Sequence, residues 1–204
     1  SPLPMIRLKF AVAFAAALVL VACKDSSAPA AAAGTAAAAK TESSAVSVPV
    51  IEAEARGITV GSPMSARTVY VFFDPQCPHC AALWQAAKPL KAQAKFVWIP
   101  VRLLNNTSQT QGAALLAAKD PVAAMDEHET AILANQKGEV PGDGEAQKET
   151  VTKNTALFNR FGFQSVPTIV AQNAQTGALV SHEGALPTAD LAALLGLQAP
   201  SPAK

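Results

Sequence analysis

An α/β fold built on one parallel βαβ unit is what this sequence predicts, and three stretches predict it. Thr68 to Phe73 (TVYVFF) is a β-branched and aromatic run of the length of a buried strand. A helical run follows from Pro78, and Lys95 to Val101 (KFVWIPV) is the second strong strand. Strand, helix and strand in this order make the two strands parallel neighbours.

The turn between the first strand and the helix, Asp74-Pro75-Gln76-Cys77-Pro78-His79-Cys80, carries the chemistry. Pro78 suits the first helical turn, where a missing N–H costs nothing. Cys77 then stands at the helix N-terminus, among unpaired N–H groups and the positive end of the macrodipole. Both favour a thiolate, the reactive species in disulfide exchange. Cys80 lies one turn further in, within reach to close a short disulfide and expel a mixed-disulfide partner. Cys77 is expected to be the exposed, acidic thiol and Cys80 the protected one. Two other readings stand beside a redox dithiol. Half a zinc site lacks a second ligand pair, since the third cysteine, Cys23, is far upstream. A structural disulfide across two residues would close almost no chain.

The 204 residues allow one ordinary domain with extensions, and the net charge of +1 gives no electrostatic case for nucleic acid. Residues 1–22 read as a secretory signal: Met5 starts it, Arg7 and Lys9 are its basic region, and Phe10 to Ala22 is small and apolar. That run is too short to span a membrane, which takes about 20 apolar residues. It ends in Leu20-Val21-Ala22-Cys23, which resembles a bacterial lipobox, with Cys23 as the lipid attachment point; an ordinary signal with a chance cysteine is the alternative. An export signal places the dithiol where disulfides persist. Residues 23–47, rich in Ala, Ser and Thr, read as a flexible tether with an r.m.s. span of about 30 Å.

The folded domain is expected over residues 48–198, with a short tail at 199–204. Val46, Val48 and Val50 alternate, and Ile51 to Arg56 reads as a short helix closed by Gly57. Ile58-Thr59-Val60 is a short strand. The helix from Pro78 is expected to reach about Ala94, kinked at Pro89. Residues 103–165 carry no convincing strand and read as a helical insertion, with helices over 110–118, 121–134 and 145–161. Strands follow from Val166 and over Ala178–His182, and an amphipathic helix over Pro187–Leu195 is stopped at Gly196.

With those elements in place, the chain resembles the thioredoxin superfamily: a βαβ unit with Cys-Pro-x-Cys at its helix, then Val-Pro-Thr before a ββα end. TVYVFFDPQCPHC with Trp84 resembles more narrowly the DsbC/DsbG group of bacterial periplasmic disulfide isomerases. The resemblance implies a thioredoxin-like fold with a helical insertion between its βαβ and ββα halves. It makes Cys77 the nucleophile, Cys80 the resolving thiol, and Cys77–Cys80 the redox-active disulfide. It makes Pro167 a cis-proline, with Val166 and Pro167 forming a substrate-binding loop. Pro78-His79 and Val166 resemble the oxidant DsbA instead. The group's dimerisation domain would precede residue 50, where this sequence has signal and tether, so a monomer and weak isomerase activity are expected. The carboxylate that thioredoxin carries six residues before its first cysteine falls at Val71.

His79 is expected to stabilise the Cys77 thiolate as a cation or donor, or else to be a solvated spacer. Asp74 either relays protons to Cys80 or holds the turn. Trp84 reads as core, and His128 and His182 as surface or core residues without ligand partners. The resulting reading is a membrane-anchored periplasmic thiol:disulfide oxidoreductase without cofactor or metal, exchanging disulfides with cysteine-bearing substrate proteins and a redox partner dithiol protein. A copper carrier and a non-catalytic protein-binding module are the alternatives.

Overall fold

The computed structural model describes residues 43–140 and 142–200. The stretches expected to be signal and tether, with Cys23, lie outside the described residues up to residue 42. Helix α1 (Val48–Glu54) leads into strand β1 (Ile58–Gly61), followed by β2 (Thr68–Phe73), α2 (Pro78–Ala87) and β3 (Lys95–Pro100). Helices α3 (Asn106–Ala117), α4 (Pro121–Leu133) and α5 (Lys148–Arg160) come next, then β4 (Thr168–Gln172), β5 (Leu179–Glu183) and α6 (Thr188–Leu195). The sheet order is β1-β3-β2-β4-β5. Only β2 and β3 are parallel, as the βαβ reading requires, with Thr68 opposite Lys95 and Phe72 opposite Ile99. The other three pairings are antiparallel.

Strand β2 is central and buried from Val69 to Phe73, because both faces of the sheet are covered. Phe72 meets Phe158 of α5 and Phe163, each with ring centroids 5.8 Å apart. Phe73 meets Trp98 of β3 at 5.8 Å, and Trp98 meets Trp84 of α2 at 5.0 Å. The alternating side chains of β2 thus fasten α5 to one face and α2 to the other.

Several boundaries differ from the sequence expectation, each for a local reason. Helix α2 stops at Ala87, and Lys88–Leu90 form a 3-10 turn rather than a continued helix. Pro89 has no N–H for the Gln85 carbonyl, which accepts from Lys88 instead. Helix α1 lies earlier than residues 51–56, because Pro49 suits its first turn. Gly57 is not its cap: a side chain there would run into the main-chain carbonyl of Trp98. Packed chain also reaches back before residue 48, where Ser44 N–H donates to the Arg160 carbonyl at 2.7 Å. Strand β4 starts at Thr168, not Val166, since Pro167 has no N–H for a ladder. Helix α3 begins at Asn106, four residues before the expected start, because Asn105 caps it by accepting from Ser108 N–H. Gly196, at φ 67°, ends α6 as expected.

The insertion between β3 and β4 is helical, and Asn154 of α5 ties it to the sheet. Its buried side-chain amide donates to the carbonyls of Arg56 (2.8 Å) and Pro100 (3.1 Å) and accepts from Arg56 N–H (3.1 Å). Asn154→Ala leaves these main-chain groups without partners and is expected to cost about 2–3 kcal/mol in urea unfolding. A loss below about 0.5 kcal/mol would show that the amide is not what holds α5 to β3 and to the segment before β1.

Candidate active site

The parallel strands deliver the turn 74–77 at their carboxyl ends. Cys77 N–H donates to the Asp74 carbonyl (3.0 Å), and the Cys77 carbonyl accepts from Cys80 (3.0 Å) and Ala81 (3.2 Å), starting α2. Cys77 is the N-cap residue and Pro78 follows it in the first turn. Asp74 is fully buried. One of its carboxylate oxygens accepts from Gln76 N–H (2.8 Å), the other from Leu103 (2.8 Å) and Leu104 (2.9 Å). Three main-chain donors on one carboxylate clamp the turn to the loop after β3, which gives Asp74 the turn-holding role of the two open to it.

Cys77 and Cys80 are both free thiols and both buried. This corrects the expectation of an open Cys77: it keeps 6% of its surface, against 0% for Cys80. The Val166–Pro167 peptide bond is cis, as the resemblance implied, and brings the Val166 carbonyl to 3.7 Å from Cys77 Sγ. Sequence-local reasoning could not show that cover, because it comes from 89 residues away.

The two thiols are driven apart. Cys77 falls from an ordinary value near 9 to about 6. A hydrogen bond from the Cys80 thiol is the largest cause; the N–H groups of Cys80 and His79 add to it, and burial opposes them. The His79 imidazole charge contributes least, and the ring is exposed, so His79 acts more through its backbone than through its side chain. Burial pushes Cys80 well up, and the Cys77 sulfur and the Glu129 charge push the same way.

Helix α4 closes the site from behind. Trp84, in the core as expected, donates its indole N–H to Asp126 of α4 at 2.7 Å, and Asp126 also pairs with Lys88 at 2.5 Å. His128 is buried, with Nε2 2.7 Å from the Pro75 carbonyl. A carbonyl only accepts, so Nε2 carries the proton, and burial lowers the His128 pKa, keeping the ring neutral. Glu129 is fully buried beside it, and neither carboxyl oxygen has a hydrogen-bond partner among the described residues. His182 lies on edge strand β5, opposite Ile169, and takes no part.

A model of the thioredoxin-like domain matches residues 62–199. The chain belongs to that family. It is 32% identical over 141 residues to the thiol:disulfide interchange protein DsbG of Pseudomonas aeruginosa, covering 68% of this chain and 55% of that protein. It is 33% identical over 126 residues to the thiol:disulfide interchange protein DsbC of Haemophilus influenzae, covering 60% and 49%. The chain thus spans about half the length of these curated relatives. Among solved structures, Proteus mirabilis ScsC in a compact conformation aligns with a TM-score of 0.58 at 17% identity, over 76% of this chain and 81% of that one. That likeness is one of fold.

Within this thioredoxin-like domain, the residues named from the sequence, Cys77, Cys80, Val166 and Pro167, come together at one turn, whereas the burial of Glu129 was not foreseen. A signal was present. Met125, His128, Glu129 and Ile132 are the buried residues of α4, at the i, i+3, i+4, i+7 spacing of one helix face. A carboxylate inside such an apolar stripe marks a buried acid.

The opposed thiols make a selective alkylation. In the reduced protein, iodoacetamide is expected to modify Cys77 with a midpoint near pH 6 and to leave Cys80 unmodified until unfolding. Cys80→Ala removes the main donor and is expected to raise that midpoint more than His79→Ala does. A larger shift from His79→Ala would make the imidazole, not the partner thiol, the principal stabiliser.

Proposed function

We propose that this thioredoxin-like domain exchanges disulfides with cysteine-bearing proteins through the Cys77–Cys80 dithiol. The single observation that carries the reading is the unequal pair itself. An acidic thiol at a helix N-terminus stands over a buried thiol of raised pKa, one turn away. Cys77 is a good nucleophile and a good leaving group near neutral pH, while Cys80 stays protonated until a mixed disulfide calls on it.

The exchange runs in two displacements. The Cys77 thiolate attacks a substrate disulfide, forming the Cys77–substrate bond and releasing the other substrate sulfur as a thiolate. Cys80 then attacks Cys77 Sγ; the Cys77–Cys80 bond forms, the substrate sulfur leaves with the electron pair, and the Cys80 proton is lost. The substrate is reduced and the dithiol oxidised, and the reverse sequence oxidises a substrate dithiol. Val166, beside Cys77 at the cis peptide, supplies the backbone against which an extended substrate segment lies. Each unit of thiolate stabilisation moves the couple about 30 mV towards the oxidising side. The chemistry asks for no cofactor; the electrons pass to or from a second dithiol protein.

The location belongs to the same proposal. A basic and apolar leader ending in Leu20-Val21-Ala22-Cys23 supports export and lipid attachment at Cys23, holding the domain on the periplasmic side of a membrane.

Trapping tests the reaction. Incubated with a peptide disulfide, Cys80→Ala is expected to accumulate a mixed disulfide at Cys77, visible by mass spectrometry. Cys77→Ala is expected to form none. Adducts at Cys80, or none in either variant, would refute the assignment.

A further inference from the structure

The loop that meets Cys77 has no ladder of its own. Helix α5 ends at Arg160 and strand β4 starts at Thr168, so the main-chain groups between them must find partners elsewhere. Much of that support comes from edge strand β5. Glu183 Oε2 accepts from Gln164 N–H (3.0 Å), Ser165 N–H (2.8 Å) and the Ser165 hydroxyl (3.0 Å). We propose that Glu183 is a positioning residue for polypeptide substrates: it holds the loop so that Val166 presents its backbone to an extended substrate segment at Cys77. The inference rests on the disulfide-exchange reading and adds to it a residue from the edge of the sheet, two strands away from β2.

Glu183 works with other tethers that bracket Val166 on both sides. The Phe163 ring anchors the start of the loop in the core, with its centroid 5.8 Å from that of Phe72 and 5.5 Å from that of Phe158. The Thr168 hydroxyl donates to the Ser165 carbonyl at 2.6 Å. Gly184, at φ 108°, turns its N–H to the Pro167 carbonyl at 2.7 Å. Between these fixed points the Val166 carbonyl comes to 3.7 Å from Cys77 Sγ. A charge on an edge strand ordinarily does no more than discourage pairing with another chain. Glu183 is exposed, yet one of its oxygens collects three donors from a single loop, at the expense of side-chain freedom. That convergence on residues 164 and 165, directly before Val166, assigns the side chain to the loop.

The consequence is selective. A backbone held at Val166 serves only a substrate that has a backbone to lay against it. A peptide disulfide placed along the loop brings its sulfur to Cys77 within the narrow range of positions that attack allows. A small disulfide such as 2-hydroxyethyl disulfide has no main chain to align and depends on the Cys77 thiolate alone. Loosening the loop therefore slows the first reaction and spares the second.

The test uses the full chain in its reduced form. Formation of the Cys77 mixed disulfide is followed by mass spectrometry with a peptide disulfide and with 2-hydroxyethyl disulfide. E183A is expected to react with the peptide at least about 10-fold more slowly than wild type, the scale of cost for a misplaced reactant, and with the small disulfide within about 2-fold of wild type. E183Q, whose amide oxygen still accepts hydrogen bonds, is expected to recover part of the peptide rate. Equal slowing with both disulfides, or slowing with neither, would overturn the proposal. A Glu183 that only stabilises the fold gives the second result, together with a lower urea midpoint. Should E183A fail to fold, E183K repeats the comparison with the same expected and overturning results, since lysine suits an edge strand and accepts no hydrogen bond. Failure of wild type to react with either disulfide would instead reject the exchange reading.

Discussion

Cys77 and Cys80 stand one helical turn apart, and most of the architecture serves to keep the two thiols in unlike surroundings. Cys77 caps a helix and is bathed in main-chain N–H groups; Cys80, one turn below, is sealed under α4. Burial is the main cause that raises Cys80, while hydrogen bonding between the thiols is the main cause that lowers Cys77, because it favours charge on the acceptor. Strand β2 supplies the reach, Asp74 fixes the turn by three main-chain donors, and Pro78 commits the following residues to helix. Substitutions far from the sulfurs therefore reach the chemistry through the turn, not through the cysteines themselves.

The helical insertion completes that sealing. Asp126 binds Trp84 and Lys88, His128 binds the Pro75 carbonyl, and together they lay the buried face of α4 against the dithiol. A thioredoxin-like sheet with α2 alone would leave Cys80 nearer solvent and cheaper to ionise. Burial of Cys80 by a neighbouring helix is what makes the two thiols so unequal.

Much of this was legible in the chain. The strands TVYVFF and KFVWIPV, the turn, and the helix opening at Pro78 are local signals that agree with one another, so the βαβ unit and both cysteines could be read directly. Helix ends were harder. Pro89 was read as a kink and proved a stop, and Gly57 was read as a cap although its true constraint is the Trp98 carbonyl on another strand. The depth of Cys77 was hidden because its cover arrives with the Val166–Pro167 loop. The burial of Glu129 was overlooked for the same reason: it depends on what α4 packs against, and only its place in an apolar stripe is written in the sequence.

The account stands on a thiolate that the folded, reduced site stabilises and the disulfide form lacks. Cys77 is lowered from near 9 to about 6, so its contribution is full only above the unfolded value and disappears as pH falls through about 6. Cys80, raised instead, contributes nothing to the change below about 9. The direct measurement is the difference in unfolding free energy between reduced and oxidised protein, followed by urea denaturation from about pH 6 to about pH 8. At about 1.4 kcal/mol per unit of separation, that difference is expected to grow by about 2 kcal/mol in favour of the reduced form. A difference that stays flat with pH, or moves towards the disulfide form, would contradict a stabilised Cys77 thiolate and the exchange chemistry built on it.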